Sequence, residues 1–289
     1  MAEKKTRRRR SNWYIYLCTF ILTSVTLMLV ILSMRELLFP EPGSGPQTGA
    51  GDYRPDASFN SNFIFMLAET NGEPPEFYLL GNYRPRDDAL VIVPLDRRLY
   101  SNFGGSLTEI YSSRGAVGIA DVVENITGIK CDYYFKFDKI SFIDLIDSVG
   151  MVTANVPFEL SIDERVVFEA GTQRFNGTQV YDYITFPDEF AEDRGRGIIA
   201  TLAVGFFNDN SRNKTAAELQ SYARKIINTT NTNYRMEDFS ANQQAYMYTT
   251  QYSSNIAESY VPLYDYNPNG QYSIAETSIN TLRSRFGMT

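Results

Sequence analysis

The chain has 289 residues and no histidine, and it holds only two cysteines and one tryptophan. Without imidazole, Ser-His-Asp and Cys-His catalysis in their usual forms are excluded, as is any metal site that depends on histidine. Cys18 lies in a long apolar run and Cys131 lies far downstream of it, so the two are not expected to form an intrachain disulfide. The fold must therefore rest on its core. Net charge is −7, and the basic residues are concentrated at the start, in Lys4, Lys5 and Arg7 to Arg10. The remainder is more acidic than the total suggests, which argues against nucleic acid and against broad adhesion to anionic lipid.

Charge is missing altogether between Trp13 and Met34. That stretch has about the ~20 apolar residues a bilayer-spanning helix needs. The basic cluster before it and the aromatic residues Trp13, Tyr14 and Tyr16 at its edge predict a cytoplasmic N-terminus and an outside domain. Met34-Arg35-Glu36-Leu37 lacks the small residues of a signal-peptidase site, so the span is expected to stay as an anchor. The expected organisation is a cytoplasmic tail over 1–12, a transmembrane helix over 13–34, a flexible linker over 35–58 and a folded domain over 59–289. Pro40 to Arg54, rich in Pro and Gly, supplies most of that linker.

Within the domain, FIFML (63–67), FYLLGNY (77–83) and ALVIVPL (89–95) have strand composition, the last two close enough to form a hairpin. Apolar residues at three- and four-residue spacing predict helices over VGIADVVENITGI and DKISFIDLIDSVG, ending at Gly128 and Gly150. CDYYFKF (131–137) and VTANVPF (152–158) supply further strands. Helices are also expected over 195–207, 216–228 and near the C-terminus. Strands alternating with helices predict an α/β fold, a sheet covered by helices rather than a sandwich.

Two features admit alternatives. The stretch YITFPDEFAEDRGRGIIATL (183–202) is either an anion site, with arginines beside a helix start, or a solvated charged turn. The tyrosines between Tyr234 and Tyr272 either form a contact surface or pack with their hydroxyls wet. Sequons at Asn125, Asn176, Asn213 and Asn228 would matter in a eukaryotic secreted domain, but Asn125 falls inside a predicted helix.

The element order, together with Val122 to Pro157 and GTQRFNGTQVYDYITF (171–186), resembles the LytR-CpsA-Psr family of bacterial envelope proteins. The resemblance implies a three-layer α/β/α domain with a central mixed sheet behind one N-terminal membrane helix, in a single-pass protein of the bacterial cell membrane. It implies transfer of a glycopolymer from polyprenyl pyrophosphate to the cell wall, with arginines on the pyrophosphate, carboxylates on a divalent cation such as Mg²⁺, and an apolar pocket for the lipid. Partners so implied are a polyprenyl phosphate lipid, a cell-wall glycopolymer and active paralogues.

Carried over residue by residue, the family's site is largely emptied. Its Arg-x-Asp falls on Pro74-Pro75-Glu76 and keeps only a carboxylate, Glu76. Its I-P-R-D falls on Val93-Pro94-Leu95-Asp96, where Leu95 stands for the arginine and Asp96 remains, followed by Arg97 and Arg98. K-x-N becomes Ser106-Leu107-Thr108, and the arginines of Y-x-R-x-R are lost at Thr185 and Pro187. D-x-G-R-x-x-R-Q retains Asp193 and Arg196. Residual catalytic candidates are Asp193, Arg196, Asp96 and Arg97; ligand-binding candidates are Arg84, Arg86 and Arg194; metal candidates are Glu76 and Asp96. Each lost transition-state donor typically costs ~10²–10³ in rate. The expected function is a membrane-anchored, non-catalytic family member that binds a polyprenyl-linked or cell-wall ligand or assists active paralogues. The alternatives are an active phosphotransferase with a rebuilt clamp, and an envelope adhesin or scaffold.

Overall fold

The computed structural model describes residues 53–162, 165–186, 191–253, 255–266 and 271–288. The expected tail and membrane helix, and nearly all of the linker, lie outside the described residues. Among the described residues no helix is long and apolar enough to cross a membrane.

Three long strands form the centre: β1 (Ser61–Ala68), β2 (Phe77–Arg84) and β3 (Ala89–Leu95). They pair antiparallel in sequence order, with Phe65 opposite Leu79 and Tyr78 opposite Leu95. A short hairpin, β4 (Tyr100–Ser101) and β5 (Gly105–Ser106), leads into helix α1 (Leu107–Thr127). Strand β6 (Tyr133–Asp138) then returns parallel to β1, followed by α2 (Lys139–Val149) and β7 (Val152–Val156).

Next come β8 (Leu160–Ile162), β9 (Arg165–Phe168) and β10 (Gly171–Phe175), the last paired with β7. Helices α3 (Gly177–Ile184), α4 (Ala191–Asn210) and α5 (Ala216–Thr229) follow. Strand β11 (Asn231–Thr232), helix α6 (Met236–Tyr252), strands β12 (Ala257–Ser259), β13 (Tyr264–Tyr266) and β14 (Tyr272–Ile274), and helix α7 (Glu276–Arg285) complete the chain.

The main sheet has six strands in the order β11-β6-β1-β2-β3-β12 and is mixed, as expected. Side-chain alternation divides its two faces. Ile64, Tyr78, Leu80 and Val93 pack under α1 and α7, meeting Ile119 and Leu282. Leu67, Phe135 and Phe137 face the other way, against Ile146 of α2, Val180 of α3 and Leu202 of α4. The result is the three-layer α/β/α arrangement.

Helix α1 begins at Leu107, well before the periodic run that starts at Val117. Ser106 and Glu109 form a reciprocal capping box at its start, and Gly115, at φ 64°, breaks the helical period between the two parts. Helices α3 and α6 lie where no helix is expected from periodicity. The first is short, and the second is so polar and tyrosine-rich that an apolar stripe is hard to discern in its sequence.

Asn176 of the second sequon is the N-cap of α3. Its side chain accepts from the Gln179 N–H at 2.9 Å, a use that a glycan on that amide would compete with.

Candidate functional site

The first residues of β2, the end of β3, the end of α3 and the first turns of α4 converge on one polar pocket. Glu76, Tyr78, Asp96, Arg97, Thr185 and Arg196 contribute to its walls, and the space between them is about 780 Å³. Beneath it, between the sheet and α2, α3 and α4, lies an apolar cavity, about 750 Å³ counting the open space at its mouth. Phe65, Phe137, Ile146, Val180 and Leu202 are among its walls. Phe77, Ile184 and Ile199 border both spaces, so the apolar cavity adjoins the polar pocket directly.

Asp96 organises the polar end. It follows the last residue of β3 and is only 5% exposed. Its Oδ1 accepts from the Arg98 backbone N–H at 2.8 Å, closing a local turn, and from Arg98 Nε at 3.0 Å. Oδ2 accepts from Arg98 Nη2 at 2.8 Å and from Arg196 Nη1. One carboxylate thus gathers two guanidiniums from points 98 residues apart in sequence.

Each guanidinium also lies over a tyrosine of the β13–β14 hairpin. Arg196 sits 4.7 Å from the Tyr264 ring and Arg98 sits 4.4 Å from the Tyr272 ring. The two rings are 5.4 Å apart. Arg–aromatic contacts of this kind are worth about 0.5–2 kcal/mol, more where water is excluded. The Tyr264 hydroxyl accepts from the Asp96 N–H at 3.0 Å and donates to the Pro94 carbonyl at 3.4 Å. Burial pushes that phenol well above its ordinary range, against the opposing pull of Arg196, so it stays protonated and able to donate.

Of the residues singled out from sequence, Glu76, Asp96, Arg97 and Arg196 meet at this pocket. The side chains of Asp193 and Arg194 lie outside the described residues. Arg84 and Arg86 are elsewhere. Arg84 pairs with Asp87 at 3.2 Å, and the Arg86 carbonyl accepts from Arg54 Nη2 at 3.0 Å, both at the β2–β3 turn. The pocket is at the other end of those strands, roughly 20 Å away at ~3.3 Å per residue. Strand direction therefore does not bring Arg84 and Arg86 to this pocket.

The missed residues are Arg98, Tyr264 and Tyr272. Only the dipeptide Arg97-Arg98 carried a signal, since the tyrosines reach the site from the far end of the chain. The other tail tyrosines divide between the two readings of that segment. Tyr234 is buried and its hydroxyl meets that of Tyr246 at 2.9 Å, whereas Tyr266 is 70% exposed.

A divalent cation fits the described donors poorly. Glu76 and Asp96 are the carboxylates lining the pocket, and both oxygens of Asp96 already accept from guanidiniums. Hard cations take several oxygen ligands, and among the described residues no group of three or more acidic, Cys or His side chains is placed to hold one.

The profile of the LytR_cpsA_psr family matches residues 79–285. The chain belongs to this family. The curated relative polyisoprenyl-teichoic acid–peptidoglycan teichoic acid transferase TagV of Bacillus subtilis (strain 168) is 27% identical over 202 residues, covering 59% of this chain and 51% of the relative. The chain thus spans about half the length of the curated relatives it matches.

The family fold is equally plain in solved structures. A transcription-regulator candidate from Eubacterium siraeum DSM 15702 superposes with a TM-score of 0.77 at 28% identity, covering 85% of this chain and 97% of that one. The crystal structure of B. subtilis TagV gives 0.63 at 22% identity, covering 80% and 98%. TagT, solved bound to LIIa-WTA, gives 0.61 at 14% identity, covering 79% and 91%.

Proposed function

We propose that this chain is a membrane-anchored family member of the bacterial cell envelope that binds a polyprenyl-linked phosphate ligand and has little or no transferase activity. Within the proposed organisation, residues 13–34 anchor the protein and the domain from residue 59 onward works outside. The apolar cavity would take the hydrocarbon chain, whose burial contributes about 25 cal/mol per Å² of apolar surface. The polar pocket would take the phosphate.

One observation carries the reading. An apolar cavity adjoins a polar pocket whose described charged lining consists of two carboxylates, Glu76 and Asp96, and two guanidiniums, Arg97 and Arg196. A lipid can be bound there, but the described lining of the pocket carries no excess of positive charge to stabilise the charge that builds up in phosphoryl transfer. Leu95, at a position the resemblance gives to an arginine, is buried in the apolar core instead.

The test is mass spectrometry of the full chain purified in detergent from a bacterial host, followed by a transfer assay with a polyprenyl-linked donor. Co-purified polyprenyl phosphate is expected, with transfer at least ~10³-fold slower than that of TagV assayed alongside. Turnover comparable to that of TagV would overturn the non-catalytic reading. It would favour the alternative of a working phosphotransferase, which the gathering of Arg98 and Arg196 on Asp96, close to Arg97, supports. Loss of lipid binding together with loss of transfer would leave a scaffold or paralogue-partner role.

A further inference from the structure

The charges around the polar pocket are not equally placed. Glu76 and Arg97 line it but are exposed, so water and salt screen them. Asp96 and Arg196 are withdrawn from water, their side chains 4% and 14% exposed, and they are paired with each other. The Tyr264 ring lies against the Arg196 guanidinium, and Arg98, 40% exposed, bonds the same Asp96 oxygen that Arg196 does. The inner group is therefore two cations on one anion, which leaves a surplus of one positive charge.

That surplus limits what the pocket can hold. A phosphate oxygen bonded to Arg196 would stand about 5 Å from the carboxylate that bonds the same guanidinium. Across that distance, at the edge of solvent, Asp96 opposes each negative charge on a ligand by roughly a factor of ten in affinity. One phosphate charge is matched by the inner group. Any further charge meets only Arg97, which is exposed and offset by Glu76. The pair is also costly to disturb, because both Asp96 oxygens accept from guanidiniums and the carboxylate is buried. A headgroup that leaves it intact is favoured over one that must draw Arg98 and Arg196 away to be neutralised.

We propose that Asp96 is the specificity-determining residue of this pocket, selecting a lipid phosphodiester, whose headgroup carries a single negative charge, over a lipid pyrophosphate. The inference rests on reading the pocket as the phosphate end of a lipid site, and it names the headgroup that site takes. Asp96 acts here as a counter-ion already in place, which the ligand has to tolerate.

The experiment is calorimetric titration of the detergent-solubilised full chain with geranyl methyl phosphate, geranyl pyrophosphate and geraniol, for wild type and Asp96→Asn, with and without Mg²⁺. Wild type should bind geranyl methyl phosphate more tightly than either of the others. Asp96→Asn should tighten geranyl pyrophosphate by about tenfold or more, tighten the methyl ester less, and leave geraniol unchanged. A residue that merely positions Arg196 would give the opposite sign, because losing the carboxylate would weaken both phosphates. The wild-type order of the three probes needs no variant, so it decides the matter even where Asp96→Asn fails to fold.

A wild type that prefers the pyrophosphate, with or without Mg²⁺, overturns the charge selection and leaves the pocket reading intact. So does an Asp96→Asn variant that weakens both phosphates or tightens them equally. A wild type that binds all three probes alike, or none, overturns the pocket reading and the proposal with it.

Discussion

Asp96 holds two cations with one carboxylate, so removing it leaves both without their shared partner. Breaking a buried pair in this way costs about 3–5 kcal/mol. Arg98 is 40% exposed and can rehydrate, which argues for roughly 3 kcal/mol or less. Asp96→Ala should therefore lower the urea midpoint markedly, while Asp96→Asn, which keeps one acceptor, should lower it less. Equal midpoints for wild type and both variants would show that the carboxylate does not organise the site. Motif matching singled out Glu76, Asp96, Arg97 and Arg196, four residues that the fold brings to one pocket. It could not find Tyr264 and Tyr272, because a ring that stacks on an arginine leaves no spacing pattern in the sequence. It could not tell that Arg84 and Arg86 lie at the end of β2 and β3 away from this pocket, because strand direction is not written in a motif.

Elements were more legible than contacts. β1, β2, β3, β6 and β7 appear in the sequence as apolar runs between turn residues, and the ends of α1 and α2 are marked by Gly128 and Gly150. The start of α1 was obscured because Gly115 interrupts the period on which a helix is recognised, β8 and β9 because strands this short carry too few residues to alternate, and β10 because Thr172, Gln173 and Arg174 give it no apolar run. Two substitutions test how these elements are held. A Cβ on Gly177 would come within 2.4 Å of the Ile143 carbonyl oxygen, so α3 could not approach α2 as it does. Gly177→Ala should cost about 1–3 kcal/mol, measurable as a lower thermal midpoint, and no loss would mean that the two helices can separate freely. At the start of α1, Ser106→Ala removes the side chain that accepts from the Glu109 N–H at 3.3 Å. About 1 kcal/mol should be lost, with the rest of the fold unchanged by circular dichroism.

For the molecule as a whole, the absence of histidine removes the usual titration near neutrality, and the buried and half-buried phenols and the half-buried Cys131 thiol move the pH response upward. Burial raises Cys131 from 9.0 to about 12, with Asp132 and Glu124 adding to the shift. Burial and then Asp238 raise Tyr133 from 10.0 to about 12. Burial also lifts Tyr234 and Tyr264. In each case the folded state favours the protonated form, so the unfolded chain releases its protons first as pH rises. The stability these groups contribute is fully present below about pH 9 and is lost progressively between about pH 9 and 12. Denaturant midpoints should be nearly flat from neutrality up to that window and fall across it, with Cys131→Ser softening the onset. A midpoint that stays level through the window would contradict the burial of these groups.

The hydroxyl of Tyr264 has a consequence at the same scale. Strand β12 pairs with β3 only from Leu90 to Ile92, which leaves the last residues of β3 without a neighbouring strand on that side. Pro94 has no N–H to offer, and the Tyr264 hydroxyl takes both the Asp96 N–H and the Pro94 carbonyl. A single side chain thereby closes a stretch of sheet edge to which a second polypeptide could otherwise add. The ring that stacks beneath Arg196 thus also carries the hydroxyl that satisfies this edge, and Tyr264→Phe would leave the Asp96 N–H and the Pro94 carbonyl without that partner.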